Sequence, residues 1–132
     1  MQDAVHKFIC RVYYEDTDLA GIVYYANYLK FIERGRSEWV RSIGIDQRRL
    51  RAEEGIVFAV RRIEADYLSP AQYDDELTVT TALEAATGAR LVLRQSVLRG
   101  DTQLFRARVT LAAIGADGRA ARLPAPLRAR LG

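Results

Sequence analysis

The chain has very few of the residues that carry most nucleophile, metal and redox chemistry. It contains one cysteine, Cys10, and one histidine, His6, in 132 residues. A single cysteine excludes an intramolecular disulfide and a zinc site made from several thiolates of one chain. The sequence also lacks a Gly-x-Ser-x-Gly turn, a glycine-rich phosphate loop and a cluster of metal ligands, which disfavours a serine triad and a nucleotide-binding loop. We therefore expect neither a metal nor a redox cofactor.

Long apolar runs are absent too. No stretch approaches the roughly 20 apolar residues that a transmembrane helix requires. Residues 1–10 contain Asp3, His6 and Lys7 where a secretory signal would be apolar. The length suits one domain with a substantial buried core. We expect a single cytoplasmic domain over residues 1–132, with no membrane insertion.

Lysine is scarce, since only Lys7 and Lys30 accompany 18 arginines. The net charge is +3 and the pI is about 9.2. The arginines are mostly scattered, which favours a solvated basic face or attraction of a small phosphate-bearing ligand. The tyrosines lie mainly between residues 13 and 28, and they do not alternate with arginine as a base-stacking surface requires. We expect no nucleic-acid partner.

The periodicity of apolar residues predicts an α+β protein. Residues 8–14 alternate as a strand does, and from Tyr25 the apolar period becomes that of a helix, which Gly44 would end as a left-handed cap. Residues 45–55 are polar and predict a loop with one short helical turn. Four strand patterns follow between residues 56 and 114, separated by tight turns, with a bulge expected near Arg61. This order predicts an antiparallel meander of five strands wrapped around one long helix, the hot-dog fold.

Carboxylates cluster just before the predicted helix. Glu15, Asp16 and Asp18 are followed by a turn at Gly21, and the helix pattern begins at Tyr25. A helix N-terminus exposes unpaired N–H groups that stabilise a developing anion. An acid beside such a terminus is sufficient for acyl transfer, although an aspartate before a glycine is also commonly a turn or cap residue.

Two long segments of the sequence resemble a known family. YYEDTDLAGIVYYANYLKFIERGRSEWVR, residues 13–41, resembles the signature of small hot-dog acyl-CoA thioesterases. The similarity is to the 4-hydroxybenzoyl-CoA thioesterase group and to its relatives encoded with the Tol–Pal cell-envelope system. FAVRRIEADYLSPAQYDDELTV, residues 58–79, also matches the second and third strands of that group.

The resemblance implies hydrolysis of an acyl-CoA thioester to a free acid and coenzyme A. It implies that Asp18 is the catalytic carboxylate, as nucleophile or as general base, and that the Tyr25 N–H receives the thioester carbonyl. It further implies homodimers that assemble into tetramers, with the active site between subunits. We assign substrate contacts to Gly21 and Val23, and contacts with coenzyme A phosphates to surface arginines, namely Arg90 and Arg94.

One position departs from part of the family. Tol–Pal-type members usually carry histidine where this chain has Tyr25, whereas the hydroxybenzoyl type carries tyrosine. A tyrosine with a pKa of about 10 is a neutral donor at pH 7 and does not replace imidazole as a base. The sequence leaves the acyl group open between short aliphatic and aromatic. It also leaves an alternative function, a non-catalytic acyl-CoA-binding or cell-envelope accessory protein.

Overall fold

Five strands pair in one antiparallel sheet in residues 5–131, the part of the chain that the computed structural model describes. The sheet curves around a long helix, α1, and a shorter helix, α2, follows it. The strands are β1 (His6–Arg11), β2 (Val57–Tyr67), β3 (Glu76–Thr87), β4 (Arg90–Arg99) and β5 (Thr102–Ile114), and the helices are α1 (Asn27–Ser42), α2 (Gln47–Glu54) and α3 (Ala125–Arg128).

The order of strands across the sheet is β1-β3-β4-β5-β2. Strands β3, β4 and β5 form the predicted meander, joined by two-residue turns that begin at Gly88 and Gly100, both with positive φ. The prediction that β2 precedes β3 in the same meander is wrong, because β2 pairs with β5 at the far edge. Residues 68–75 carry the chain between the two positions, and they pack on the segment before α1 through the bond from Val23 N–H to Ala71 O, at 2.8 Å.

Helix α1 forms because its apolar residues recur on one face, and that face is buried against the sheet. Gly35 lies within this face, and a Cβ built on it would stand 2.6 Å from Cγ1 of Val79. The helix begins at Asn27 rather than at the predicted Tyr25, which lies in a turn. Its end is as predicted: Gly44 has φ +90°, and its N–H reaches Arg41 O. The buried residues of α1 are Tyr28, Phe31, Ile32, Gly35, Trp39 and Val40.

Residues 47–54 form a complete helix, α2, where a loop with one short helical turn was predicted. Asp46 caps it by accepting the N–H groups of Arg48 and Arg49 at 3.0 and 3.2 Å. Gly55 ends it in the left-handed conformation. Its only buried residue is Leu50, so the sequence carries no apolar period there. The prediction of a loop was wrong because end caps, and not an apolar face, define this helix.

The predicted bulge in β2 is confirmed, since the register against β5 shifts between Val60 and Arg62. Cys10 packs against the core from β1, and burial raises the pKa of its thiol. Within residues 5–131, no helix has the length and the apolar composition that crossing a bilayer demands.

Candidate functional site

The loop between β1 and α1 is held together by Asp16. Its carboxylate accepts the Tyr13 N–H at 2.8 Å, which closes a single 3₁₀ turn. Its carbonyl accepts two further bonds at 2.9 Å, from the Tyr24 N–H and from the side-chain amide of Asn27. Asp16 thus joins both ends of the loop to the first residue of α1. Its role is to orient the turn.

Asp18 opens a tight turn that projects from this loop. Its N–H donates to Ile22 O at 2.9 Å, and the Gly21 N–H donates back to Asp18 O at 3.0 Å. Gly21 has φ +82°, a conformation that glycine adopts without strain. The carboxylate is exposed, and its Oδ1 accepts the Ala20 N–H at 2.9 Å. Among residues 5–131 no donor reaches Oδ2, so one carboxylate oxygen is available to a reactant.

Tyr25 lies in the turn that leads into α1. Its side chain is 62% exposed, and within the described residues its N–H has no acceptor. The peptide groups on both sides of the Tyr25 Cα are held by hydrogen bonds. The carbonyl of Tyr24 accepts the Asn27 N–H at 2.8 Å, and the carbonyl of Tyr25 accepts the hydroxyl of Tyr67 at 2.9 Å. A free N–H on a fixed backbone is suited to donate a hydrogen bond to an oxygen that develops negative charge.

The rings of Tyr24 and Tyr25 lie side by side just before α1. Their centroids are 4.9 Å apart. The hydrogen bond with Tyr25 is the main reason why the pKa of Tyr24 is raised, and the charge of Asp18 raises it further. Asp18 and the turn before α1 belong to one loop, whose two ends Asp16 joins.

A cavity of about 310 Å³ opens beside Tyr25. Its inner wall includes the buried side chain of Val23 and the ring of Tyr28, which stacks on Phe105 at 5.0 Å. The Tyr28 hydroxyl accepts the Ala71 N–H at 2.9 Å, and burial raises its pKa. Of the two substrate contacts that the sequence assigned, Val23 lines the cavity and Gly21 only shapes the turn next to it. The lining residues are Ile22, Val23, Tyr25, Tyr28, Tyr67, Leu68, Ser69 and Pro70.

The two arginines assigned to coenzyme A lie elsewhere. Arg99, at the end of β4, contacts the carbonyl of Pro70 beside the cavity. Arg90 begins the same strand nine residues earlier, which at about 3.3 Å per residue is roughly 30 Å away. Arg94 is exposed and pairs with Glu84 at 3.7 Å.

A model of the thioesterase-like superfamily matches residues 12–131. The chain belongs to the thioesterase-like superfamily. It is 39% identical to the acyl-CoA thioesterase YbgC of Haemophilus influenzae over 86% of this chain and 84% of that protein. A crystal structure of a probable thioesterase from Bartonella henselae is 42% identical, with a TM-score of 0.88 over 92% of this chain and 100% of that one.

A second solved thioesterase carries its substrate. An aspartate-to-asparagine mutant of 4-hydroxybenzoyl CoA thioesterase, complexed with 4-hydroxybenzoyl CoA, is 26% identical, with a TM-score of 0.87 over 97% of this chain and 99% of that one. The predicted family, the hot-dog fold and the class of thioester hydrolase are confirmed by these relatives. The roles of Asp18, Tyr25, Arg90 and Arg94 remain predictions.

The sequence analysis did not identify two residues that lie at the candidate site. Tyr67 reaches Tyr25 from the last position of β2, and Arg99 ties the loop after β2 by contacting Asp75 at 2.8 Å. The only sequence signal for Tyr67 is that an aromatic residue stands two positions before the Ser69-Pro70 that ends a strand pattern. That signal does not reveal the partner of the hydroxyl.

Proposed function

We propose that the chain hydrolyses acyl-CoA thioesters with Asp18 as the reacting carboxylate and the Tyr25 N–H as the oxyanion donor. The observation that carries the proposal is their placement in one loop. The free carboxylate oxygen of Asp18 and the unaccepted N–H of Tyr25 flank the same short hairpin, and Asp16 fixes both ends of it. A preorganised donor of this kind typically lowers a barrier by roughly 3 kcal/mol.

The reaction needs no base other than this carboxylate. Either the carboxylate attacks the thioester carbon and water then hydrolyses the mixed anhydride, or the carboxylate takes a proton from water that attacks directly. In both routes the C–S bond breaks and the coenzyme A thiolate leaves. A thiol has a pKa of about 8.5, so its thiolate departs without a strong general acid. This accounts for a site that has tyrosine, and no histidine, at position 25.

The cavity beside Tyr25 supports a small acyl group. Its volume of about 310 Å³ lies near the lower end of the roughly 300–1,000 Å³ that is usual for ligand pockets. Its walls are mainly apolar and aromatic, and they suit a short aliphatic chain or a single aromatic ring. The carbonyl of such a group would lie next to the turn that bears the Tyr25 N–H.

We further propose that the enzyme is a homodimer or a dimer of dimers. Edge strands β1 and β2 leave backbone groups unpaired, and β2 also exposes Val57 and Val60. A twofold contact at such an edge would cover the exposed Asp18 turn. Arg90 is roughly 30 Å from the cavity along its own strand, and we propose that Arg90 and Arg94 contact coenzyme A phosphates from another subunit. A cytoplasmic location stays a prediction from the sequence composition, and a link to the Tol–Pal system stays a prediction from the resemblance.

The test is release of free thiol from acetyl-, butanoyl-, hexanoyl- and benzoyl-CoA by the purified chain. We expect turnover with at least one of them, and the order of rates will separate aliphatic from aromatic preference. Calorimetry with the same compounds tests the alternative function, which is binding of acyl-CoA without catalysis. Tight binding without thiol release from any of them would show an acyl-CoA-binding protein and refute the hydrolase.

A further inference from the structure

The side chain of Tyr67 connects the edge of the sheet with the backbone of the proposed oxyanion site. It lies at the last residue of β2, and its hydroxyl donates to the carbonyl oxygen of Tyr25 at 2.9 Å across 42 positions of sequence. Its ring meets those of Tyr28 and Phe105 edge to face, with centroids 5.5 and 5.0 Å apart. The ring is therefore held by packing, and the hydroxyl is aimed at one backbone atom.

That bond restricts the peptide groups around the Tyr25 N–H. The peptide bond is planar, so a fixed Tyr25 carbonyl fixes the whole peptide plane between Tyr25 and Ala26. The preceding peptide, which contains the Tyr25 N–H, is held through the Tyr24 carbonyl by the Asn27 N–H at 2.8 Å. The two bonds clamp the chain on both sides of the Tyr25 Cα. A donor aimed in advance at the developing charge is worth far more than one that must reorient.

We propose that Tyr67 is a positioning residue for thioester hydrolysis, whose hydroxyl holds the backbone that presents the Tyr25 N–H. The inference rests on the proposed function. Tyr67 does not touch the reacting atoms, and its ring and hydroxyl have separate tasks. The ring lines the acyl cavity, and the hydroxyl holds the oxyanion donor.

The environment of Tyr67 keeps its hydroxyl in the donating form. Partial burial raises its pKa, and the neighbouring hydroxyls of Tyr25 and Tyr28 raise it further. A protonated phenol is required because the Tyr25 carbonyl is an acceptor only. Tyr67 thus remains a neutral donor over the neutral range in which the hydrolase is assayed.

The experiment compares wild type, Tyr67→Phe and Tyr73→Phe in thiol release from butanoyl-CoA and benzoyl-CoA. Tyr73 is a matched control, because it is 61% exposed and, among the residues that the structure describes, its ring meets only that of Tyr14. We expect Tyr67→Phe to lower kcat about tenfold, a part of the loss that follows removal of a whole oxyanion donor. KM should stay within about twofold, because the ring that lines the cavity is retained. Tyr73→Phe should match wild type.

A second readout follows the backbone directly. The ¹⁵N resonance of Ala26 belongs to the amide bonded to the Tyr25 carbonyl, so loss of the hydroxyl should shift it in Tyr67→Phe and not in Tyr73→Phe. Should Tyr67→Phe not fold, 4-aminophenylalanine and 4-fluorophenylalanine at position 67 replace it. Both fill the space of the hydroxyl, but only the amino group donates, so only that variant should keep kcat.

The outcomes separate this inference from the proposed function. An unchanged kcat in Tyr67→Phe, a loss confined to KM, or an equal loss in Tyr73→Phe overturns the positioning role while the hydrolase stands. Equal kcat in the two unnatural variants overturns it as well. A wild type that releases no thiol from the whole substrate series overturns both.

Discussion

Oδ1 of Asp18 accepts the N–H of Ala20 at 2.9 Å, so the proposed catalytic carboxylate also closes its own turn. The same arrangement occurs at Asp117, where Oδ1 accepts the Arg119 N–H at 2.9 Å in the exposed turn after β5. An asparagine side chain offers the same oxygen acceptor but no charge. The structural and chemical roles of Asp18 can therefore be separated by a change of one atom.

Asp18→Asn should retain the fold and lose activity. Its side-chain oxygen still accepts the Ala20 N–H, whereas neither nucleophilic attack nor proton abstraction is available to an amide. We expect kcat for thiol release to fall at least about 100-fold, with an unchanged melting temperature. Asp117→Asn makes the same substitution in the same kind of turn and should behave as wild type. Near-normal turnover by Asp18→Asn would contradict the mechanism.

Tyr25→Phe should retain most activity. The proposed donor is the backbone N–H of Tyr25, which the substitution leaves in place, and the side chain is 62% exposed. We expect kcat/KM within about threefold of wild type across the substrate series. A loss comparable with that of Asp18→Asn would instead assign an essential role to the Tyr25 hydroxyl. Titration of Tyr24 gives an independent check, since its pKa should fall once the hydrogen bond with Tyr25 is removed.

Apolar periodicity predicted the parts of the fold that bury a face. Helix α1 and strands β3, β4 and β5 carry such periods, and Gly44 and the β2 bulge left local signals of their own. Helix α2 carries none, because Leu50 is its single buried residue and its ends depend on Asp46 and Gly55. Strand β2 pairs with β5 at one edge of the sheet. That pairing joins residues far apart in sequence, and a local pattern does not reveal it.

The site was predictable where its parts are adjacent in the chain. Asp18, Gly21 and Tyr25 lie within eight positions, so the turn before α1 keeps them on one loop. Tyr67 is 42 positions from its acceptor, and an alternating strand pattern says only which face a residue occupies. Arg90 and Arg94 were chosen for their charge, and charge does not indicate distance from a cavity.

Gly35→Ala should destabilise the fold although alanine is the better helix former. The added Cβ would lie 2.6 Å from Cγ1 of Val79, and overpacking of this kind costs about 1–3 kcal/mol. The gain in helix propensity is about 1 kcal/mol. We expect the free energy of unfolding in urea to fall by about 1 kcal/mol. The double variant Gly35→Ala/Val79→Ala should lose less free energy of unfolding than the two single variants lose in sum. Strict additivity would show that the new Cβ does not press on Val79.

The Asp75–Arg99 ion pair gives the stability of the fold a predictable pH dependence. Partial burial acts to raise the pKa of Asp75, but the Gln72 N–H at 2.9 Å and Arg99 at 2.8 Å outweigh it and lower the pKa. Because the folded pKa is the lower one, the ionised carboxylate stabilises the fold above the unfolded pKa of about 3.9. That stabilisation is lost as the pH falls through the folded pKa.

Asp75→Asn should therefore destabilise the protein at neutral pH and have little effect in acid. The amide keeps an oxygen for the Gln72 N–H but loses the charge that holds Arg99, which for a partly exposed pair is worth about 0.5–1 kcal/mol. Urea unfolding of both proteins from pH 7 down to below pH 3 measures the difference. Asp74→Asn is the control, since its carboxylate is more exposed and lies 3.5 Å from Arg11. A difference that persists unchanged in acid would assign the effect to packing rather than to the ion pair.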